Sequence, residues 1–188
     1  MNGKKKMFGV KCLVIGVIFF AFYLSPFTVN AQPKWHTLAE ANEARIGDRL
    51  YFVDFYTTWC GYCKKMDRQT FTDPTVTKIL NTYYYPVKLD AESRTPVEWF
   101  GRTYNPSRGG RSAAHEFAAG VRGYPTFVLY RADGRMLQSI PGFYSARDFV
   151  VILWYFASGD CDKYPFDRYQ QIFDKEIRPT MEKALKNQ

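Results

Sequence analysis

Leu50-Tyr51-Phe52-Val53-Asp54-Phe55-Tyr56-Thr57-Thr58-Trp59-Cys60-Gly61-Tyr62-Cys63-Lys64 is the stretch that decides the fold. Its first seven residues are apolar, β-branched or aromatic apart from Asp54, the composition of a buried strand. From residue 61 to 71 the pattern turns helical, with Cys63, Met66 and Thr70 spaced to share one side. Cys60 therefore stands where a strand hands over to a helix N-terminus. Unpaired backbone N–H groups and the positive end of the helix dipole favour a thiolate there. Such sites lower a cysteine pKa from about 8.5 to roughly 3.5–7.5. The thiolate is the form that attacks a disulfide. Cys63, one turn on and facing the same side, is placed to resolve the mixed disulfide so formed.

Working outward, Thr37 with Glu40 three residues later carries a capping-box signature and opens a helix over 37–45. Asp73-Pro74 starts another helix, running to about Asn81, since proline suits a first helical position. Residues 84–90 form a second buried strand. Within 91–120, Asn105-Pro106-Ser107-Arg108-Gly109-Gly110 is a loop, with short helices expected over 96–102 and 112–119. Gly123-Tyr124-Pro125 leads into a strand over 126–130. Residues 132–135 make a hairpin turn and 136–140 the returning strand. A helix follows over 145–157, and a last one is expected over 165–177. Strands separated by helices imply parallel pairing, and the closing hairpin adds an antiparallel strand. The fold class is α/β, a mixed central sheet with helices on both faces.

At 188 residues the chain suits one domain with a proper core. Its 46% hydrophobic and 23% charged residues are those of a globular protein, and no internal repeat is visible. The N-terminus reads differently. Lys4, Lys5, Lys6 and Lys11 precede an apolar run from Cys12 to Leu24, and Val29-Asn30-Ala31 offers small residues for cleavage. This is the layout of a secretory signal peptide over 1–31. The alternative is a retained membrane anchor, but the run is shorter than the roughly 20 residues a spanning helix needs. Residues 32–188 are then one domain, with an enlarged segment at about 91–120 and a helical extension from about 160. The leader holds four lysines and no acid, so a net charge of +8 falls to +4 without it. That mild bias gives no ground for a nucleic-acid partner. Export to an extracytoplasmic or periplasmic compartment permits disulfides to persist.

A Cys-x-x-Cys pair can also be half a zinc site or a structural bridge. A structural zinc needs four ligands. Cys161, His36 and His115 show no paired spacing, so no metal and no cofactor are expected. A four-residue loop removes little unfolded-state entropy, which weakens the purely structural case.

Val53 to Lys64 resembles the active-site strand and helix of thioredoxins, and Gly123-Tyr124-Pro125-Thr126-Phe127 resembles their cis-proline loop. Asp67-Arg68-Gln69-Thr70-Phe71-Thr72-Asp73-Pro74-Thr75-Val76 is similar to the segment after the active site in the C-terminal periplasmic domain of the thiol:disulfide interchange protein DsbD. The resemblance implies a thioredoxin fold, a redox-active disulfide between Cys60 and Cys63, and catalysis by Cys60 as attacking thiol. It makes Asp54 the buried acid, its pKa raised by desolvation, able to take a proton from Cys63. Lys88 on the next strand is its candidate partner, or else a solvated strand residue. Pro125 becomes a cis-proline, and the backbone of Tyr124 an edge for an extended substrate peptide. Trp59 and Tyr62 flank the sulfur as contact residues. Tyr62 replaces the family's usual proline, so neither potential nor direction carries over.

The expected function is an exported reductase of protein disulfides, acting as a monomer on protein disulfide or dithiol substrates. As a reductase it implies a membrane electron donor. Rival readings are a client-binding or metal-delivery module and a dedicated cytochrome c maturation reductase. Arg94, Arg102, Arg108 and Arg111 mark the enlarged segment as either a partner-recognition lip or a solvated loop. Cys161 is a buried thiol or a site for an intermolecular bond. Reduced Cys60 should be alkylated rapidly by iodoacetamide near about pH 6, with Cys63 nearly silent. Equal, slow labelling of both would remove the helix-terminus argument.

Overall fold

The computed structural model of the chain describes residues 32–44, 47–107, 112–117 and 121–188. The expected leader (1–31), Arg45, loop residues 108–111 with Arg108 and Arg111, and the end of the expected 112–119 helix lie outside this set.

Strand β1 (Leu50–Tyr56) sends Phe52 and Asp54 to one side and Tyr51, Val53 and Phe55 to the other, all of them buried. Cover on both faces explains its near-continuous apolar run. It pairs in parallel with β2 (Tyr84–Asp90) and antiparallel with β5 (Thr126–Tyr130), and β6 (Met136–Pro141) pairs antiparallel with β5. The sheet order is β2-β1-β5-β6. The mixed sheet matches expectation, but the parallel rule holds only for β1 and β2. After β2 the chain crosses one face twice, down and back, and so enters β5 from the end at which β2 stopped. Ala91 N–H donates to Tyr56 O at that end, and Trp99 Nε1–H donates to Gly134 O at the far turn.

The capping box is formed: Thr37 Oγ1 accepts from Glu40 N–H, Glu40 Oε2 accepts from Thr37 N–H, and α1 (Leu38–Glu43) follows. The helix expected over 61–71 is α2 (Gly61–Lys65), which widens into a π turn at Met66–Thr70. There Phe71 N–H reaches Met66 O at 2.9 Å. Asp73 Oδ1 accepts from the N–H groups of Thr75 and Val76 and caps α3 (Pro74–Tyr83), two residues longer than expected.

Residues 96–102 are not helical. They belong to a hairpin, β3 (Val97–Trp99) and β4 (Arg102–Tyr104), turned by Phe100 and Gly101, both at positive φ. The alternation of buried Val97 and Trp99 with exposed Glu98 is strand periodicity, which the neighbouring loop residues obscure in the sequence. Arg94 and Arg102 stay exposed, while Val97, Trp99, Phe117 of α4 (Ala113–Phe117), Tyr51 and Tyr130 pack into one cluster on this face. On the opposite face α2, α3 and α5 (Ala146–Ala157) bury Met66, Phe71, Ile79, Leu80, Phe149 and Leu153 against Phe52 and Phe127. The expected last helix is α6 (Phe166–Ile172), continued by a π turn at Phe173–Ile177 and then by α7 (Arg178–Lys186). Helix α7 extends beyond the expected 165–177 and is mostly polar, yet Met181 and Leu185 join the core. No helix among the described residues is long and apolar enough to cross a membrane.

The hairpin is latched to the β5–β6 turn at Gly134. A Cβ there would meet the Phe100 ring at 2.5 Å, and Gly134 has φ of +80°. Gly134→Ala should therefore lower unfolding free energy by about 1–3 kcal/mol in urea titrations. An unchanged midpoint would mean that the latch carries no stability.

Candidate active site

The site grows from the end of β1. Thr57 O accepts the Cys60 N–H at 3.2 Å, which turns the chain out of the strand and leaves Cys60 as the N-cap of α2. Cys60 Sγ accepts from Cys63 N–H at 3.0 Å, one of the helix's otherwise unpaired donors. The two cysteines are joined as a disulfide, with Cα atoms 5.3 Å apart. Both are buried, whereas Trp59 and Tyr62 on either side are 65% and 62% exposed.

Asp54 sits two residues before the end of β1 and is 2% exposed. The parallel register sets it beside Lys88, whose Nζ lies 3.5 Å from Asp54 Oδ2 and also contacts Asp67 Oδ1 in the π turn of α2. The candidate partner is thus confirmed in place, and Lys88 is not a solvated strand residue. Asp54 Oδ1 is buried with no hydrogen-bond partner among the described residues. Burial drives this carboxyl from an ordinary 3.8 up to about 7, against the pull of Lys88 and with a further push from Asp67. A group titrating there can accept or hold a proton at neutral pH.

The Tyr124–Pro125 peptide bond is cis. Pro125 immediately precedes β5, whose Thr126 pairs with Phe55, so its loop lies at the same end of the sheet as the Cys60 turn. Thr126 Oγ1 donates to Gly123 O, and Gly142 N–H donates to Pro125 O, which fix the loop from both sides. The Tyr124 ring meets Trp59 edge-on at 6.1 Å, and Trp59 Nε1–H donates to Glu92 Oε1 at 3.0 Å. Tyr62 approaches Phe143 at 6.0 Å. One end of the sheet therefore gathers Cys60, Cys63, Trp59, Tyr62, Tyr124 and Pro125, with Asp54 buried in the strand behind.

A thioredoxin-like domain family matches residues 38–157, most of the chain. The chain belongs to the thioredoxin-like family. Human protein disulfide-isomerase TMX3 is 32% identical over 96 residues, covering 51% of this chain and 17% of that protein. This thioredoxin-like chain thus spans under a fifth of the length of that curated relative. Thioredoxin from Malassezia sympodialis is 26% identical over 102 residues, covering 51% of this chain and 71% of the relative. Among solved structures, the oxidoreductase DsbH superposes with a TM-score of 0.51 at 21% identity, over 71% of this chain and 90% of that one. At that identity the likeness is one of fold.

Some residues of this thioredoxin-like site were not singled out from the sequence. Asp67 received no role, although it lies four residues after Cys63, one helical turn on. Glu92 and Phe143 have no local signal, because Glu92 meets the Trp59 indole N–H and Phe143 meets the Tyr62 ring only across long stretches of chain. Cys161 is set apart from the site. It lines a cleft of about 530 Å³ with Leu137, Ile140, Tyr155 and Phe166, is unpaired, and has its thiol pKa raised by burial.

The raised Asp54 value has a thermodynamic consequence in the oxidised protein. Between 3.8 and about 7 the folded protein holds a proton that the unfolded chain has released. Stability from this group is thus complete below 3.8 and is lost as pH rises to about 7, by up to about 1.4 kcal/mol per pH unit. Asp54→Asn should remove that decline and be the more stable protein at about pH 8 in urea titrations. Parallel stability–pH curves for the two proteins would show that Asp54 titrates normally.

Proposed function

We propose that the chain is an exported thiol–disulfide oxidoreductase that reduces protein disulfides through a mixed disulfide on Cys60. The observation that carries this reading is the Cys60–Cys63 disulfide at a strand-to-helix junction, with the buried Asp54 carboxyl titrating near neutrality in the strand behind it.

In the reduced protein, the Cys60 thiolate attacks one sulfur of a substrate disulfide. The substrate S–S bond breaks, a Cys60–substrate disulfide forms, and one substrate thiolate leaves. The Cys63 thiol then gives its proton to the Asp54 carboxylate. Its thiolate attacks Cys60 Sγ, which re-forms the Cys60–Cys63 disulfide and expels the second substrate thiolate. Two electrons pass from the protein dithiol to the substrate. Trp59 and Tyr62 provide the exposed contact area, and the Tyr124–Pro125 loop provides backbone for an extended substrate peptide. No step calls for a cofactor.

The likeness of residues 67–76 to the DsbD segment favours the reductase direction. The basic, apolar and small-residue layout of residues 1–31 favours a cleaved leader and an extracytoplasmic place of action, with residues 32–188 as the working domain. An exported dithiol needs continual re-reduction, so a membrane electron donor is the implied second partner.

Cys63→Ala should halt turnover at the mixed disulfide. Clients trapped on Cys60 should appear as adducts on non-reducing gels, be released by dithiothreitol, and be absent from Cys60→Ser. Haem-site cysteine proteins as the sole trapped species would narrow the role to cytochrome c maturation. If Cys60→Ser keeps full client binding and phenotype, the thiols are incidental and the protein is a binding module.

A further inference from the structure

Lys88 is held from more sides than the two carboxylates. Its Nζ lies 4.9 Å from the Trp35 ring centroid, 5.3 Å from Tyr56 and 5.8 Å from Phe71. Trp35 itself meets Phe71 edge-on at 5.0 Å and Phe52 at 6.2 Å, so its ring is set against the core. The residues around Trp35 are fastened to the sheet. Lys34 N–H donates to Asn81 Oδ1 at 2.7 Å, His36 N–H donates to Pro86 O at 2.9 Å, and Lys88 N–H donates to His36 O at 3.1 Å. The backbone of Lys88 thus anchors the arm whose aromatic ring covers its own ammonium.

We propose that Trp35 is a positioning residue of the redox site, the wall of an aromatic cage that holds the Lys88 ammonium between Asp54 and Asp67. A lysine carries four rotatable bonds and a strongly hydrated head, so without walls it extends toward water. Ring faces attract a cation most strongly where water is excluded, and tryptophan provides the strongest such face. Lys88 retains 24% side-chain exposure, an open route for it to swing out. The cage keeps the positive charge at Asp54, where it opposes the effect of burial on that carboxyl. The proposal rests on reading Asp54 as the proton acceptor for Cys63.

Among the described residues, the groups facing Asp54 and Lys88 are few. Asp67 comes from the π turn and the Tyr56 phenol from β1, and the antiparallel neighbour of Asp54 on β5 is Phe127, which does not ionise. Cys60 and Cys63 are disulfide-bonded in the oxidised state and do not titrate there. His36, on the arm, stacks on Tyr85 at 4.1 Å, and burial together with nearby Lys34 keeps its midpoint below the ordinary histidine value.

The test reads the Asp54 carboxyl directly, by ¹³C NMR of aspartate-labelled oxidised protein, with no turnover involved. In Trp35→Leu, which keeps apolar bulk but removes the ring face, the Asp54 midpoint should rise by about 0.5–1 pH, part of what a lost counter-charge produces. Trp35→Phe should restore the wild-type midpoint. In a Lys88→Met background, Trp35→Leu should add nothing. A tetrafluorotryptophan placed at position 35 by nonsense suppression keeps the fold while weakening the ring face, and should raise the midpoint if the leucine variant does not fold. An unmoved midpoint overturns the proposal. So does a fall, which would make Trp35 a water seal, or an equal shift in the Lys88→Met background. Disulfide-reduction rates against pH form the separate arm. If the carboxyl shifts and the rate profile does not follow, the cage stands and the role of Asp54 as acceptor for Cys63 fails.

Discussion

A carboxyl group buried beside a parallel strand neighbour is the constraint on which the rest of this site depends. Asp54 occupies a position in β1 that every other inward residue of that strand fills with an apolar side chain. Charged, it costs several kcal/mol of desolvation unless an opposite charge answers it. The parallel register with β2 supplies that charge at Lys88, and the π turn of α2 adds a second carboxylate at Asp67. Burial outweighs Lys88 in the balance, so the group titrates near 7 and not near 3.8. The extra residue in the π turn is part of the same arrangement, since it sits in the segment that carries Asp67 toward the sheet.

The scaffold that tolerates this buried acid is dense in aromatic contacts. On the Asp54 face, Phe52, Phe71, Phe127 and Phe149 meet one another with centroids between 5.1 and 6.2 Å. On the other face, Trp99, Phe117, Tyr130 and Tyr51 form a second cluster under the β3–β4 hairpin. Rings of this size bury much apolar area at little rotamer cost, and offset or edge-on pairs add about 0.5–1.5 kcal/mol each. The enlarged segment that follows β2 is therefore partly a second core layer. Its exposed arginines, Arg94 and Arg102, decorate a packed hairpin.

Electrostatics at the opening follow from the same elements. Cys60 caps a helix and its sulfur accepts from the Cys63 N–H, while Trp59 is tied to Glu92 and Tyr124, and Lys65 is drawn over the Phe143 ring at 4.3 Å. The sulfur is thus framed by aromatic rings with an acidic residue on one side and a basic one on the other. These rings are already held in place by their neighbours, which lowers the ordering cost of any contact they make.

Where a signal is local, the sequence contained it. The limits of β1, β2 and β5, the capping box at Thr37 and Glu40, the Asp73-Pro74 helix start and the Cys60–Cys63 junction all follow from period, cap chemistry and turn residues within a few positions of one another. The β3–β4 hairpin and α7 escaped because three-residue strands and a polar helix carry too little periodicity to stand out from their surroundings. Long-range pairings were a different matter. The antiparallel direction of β5, the joining of Asp67 to Lys88 and the seating of Trp35 over the same ammonium join residues 21 to 79 positions apart, and nothing in either local stretch specifies the other. The amino-acid sequence alone determined the redox pair and the strand and helix that present it, because those depend on neighbours along the chain. The proton affinity of Asp54 was decided only by the tertiary structure, because it depends on what burial brings around the carboxyl and what it takes away.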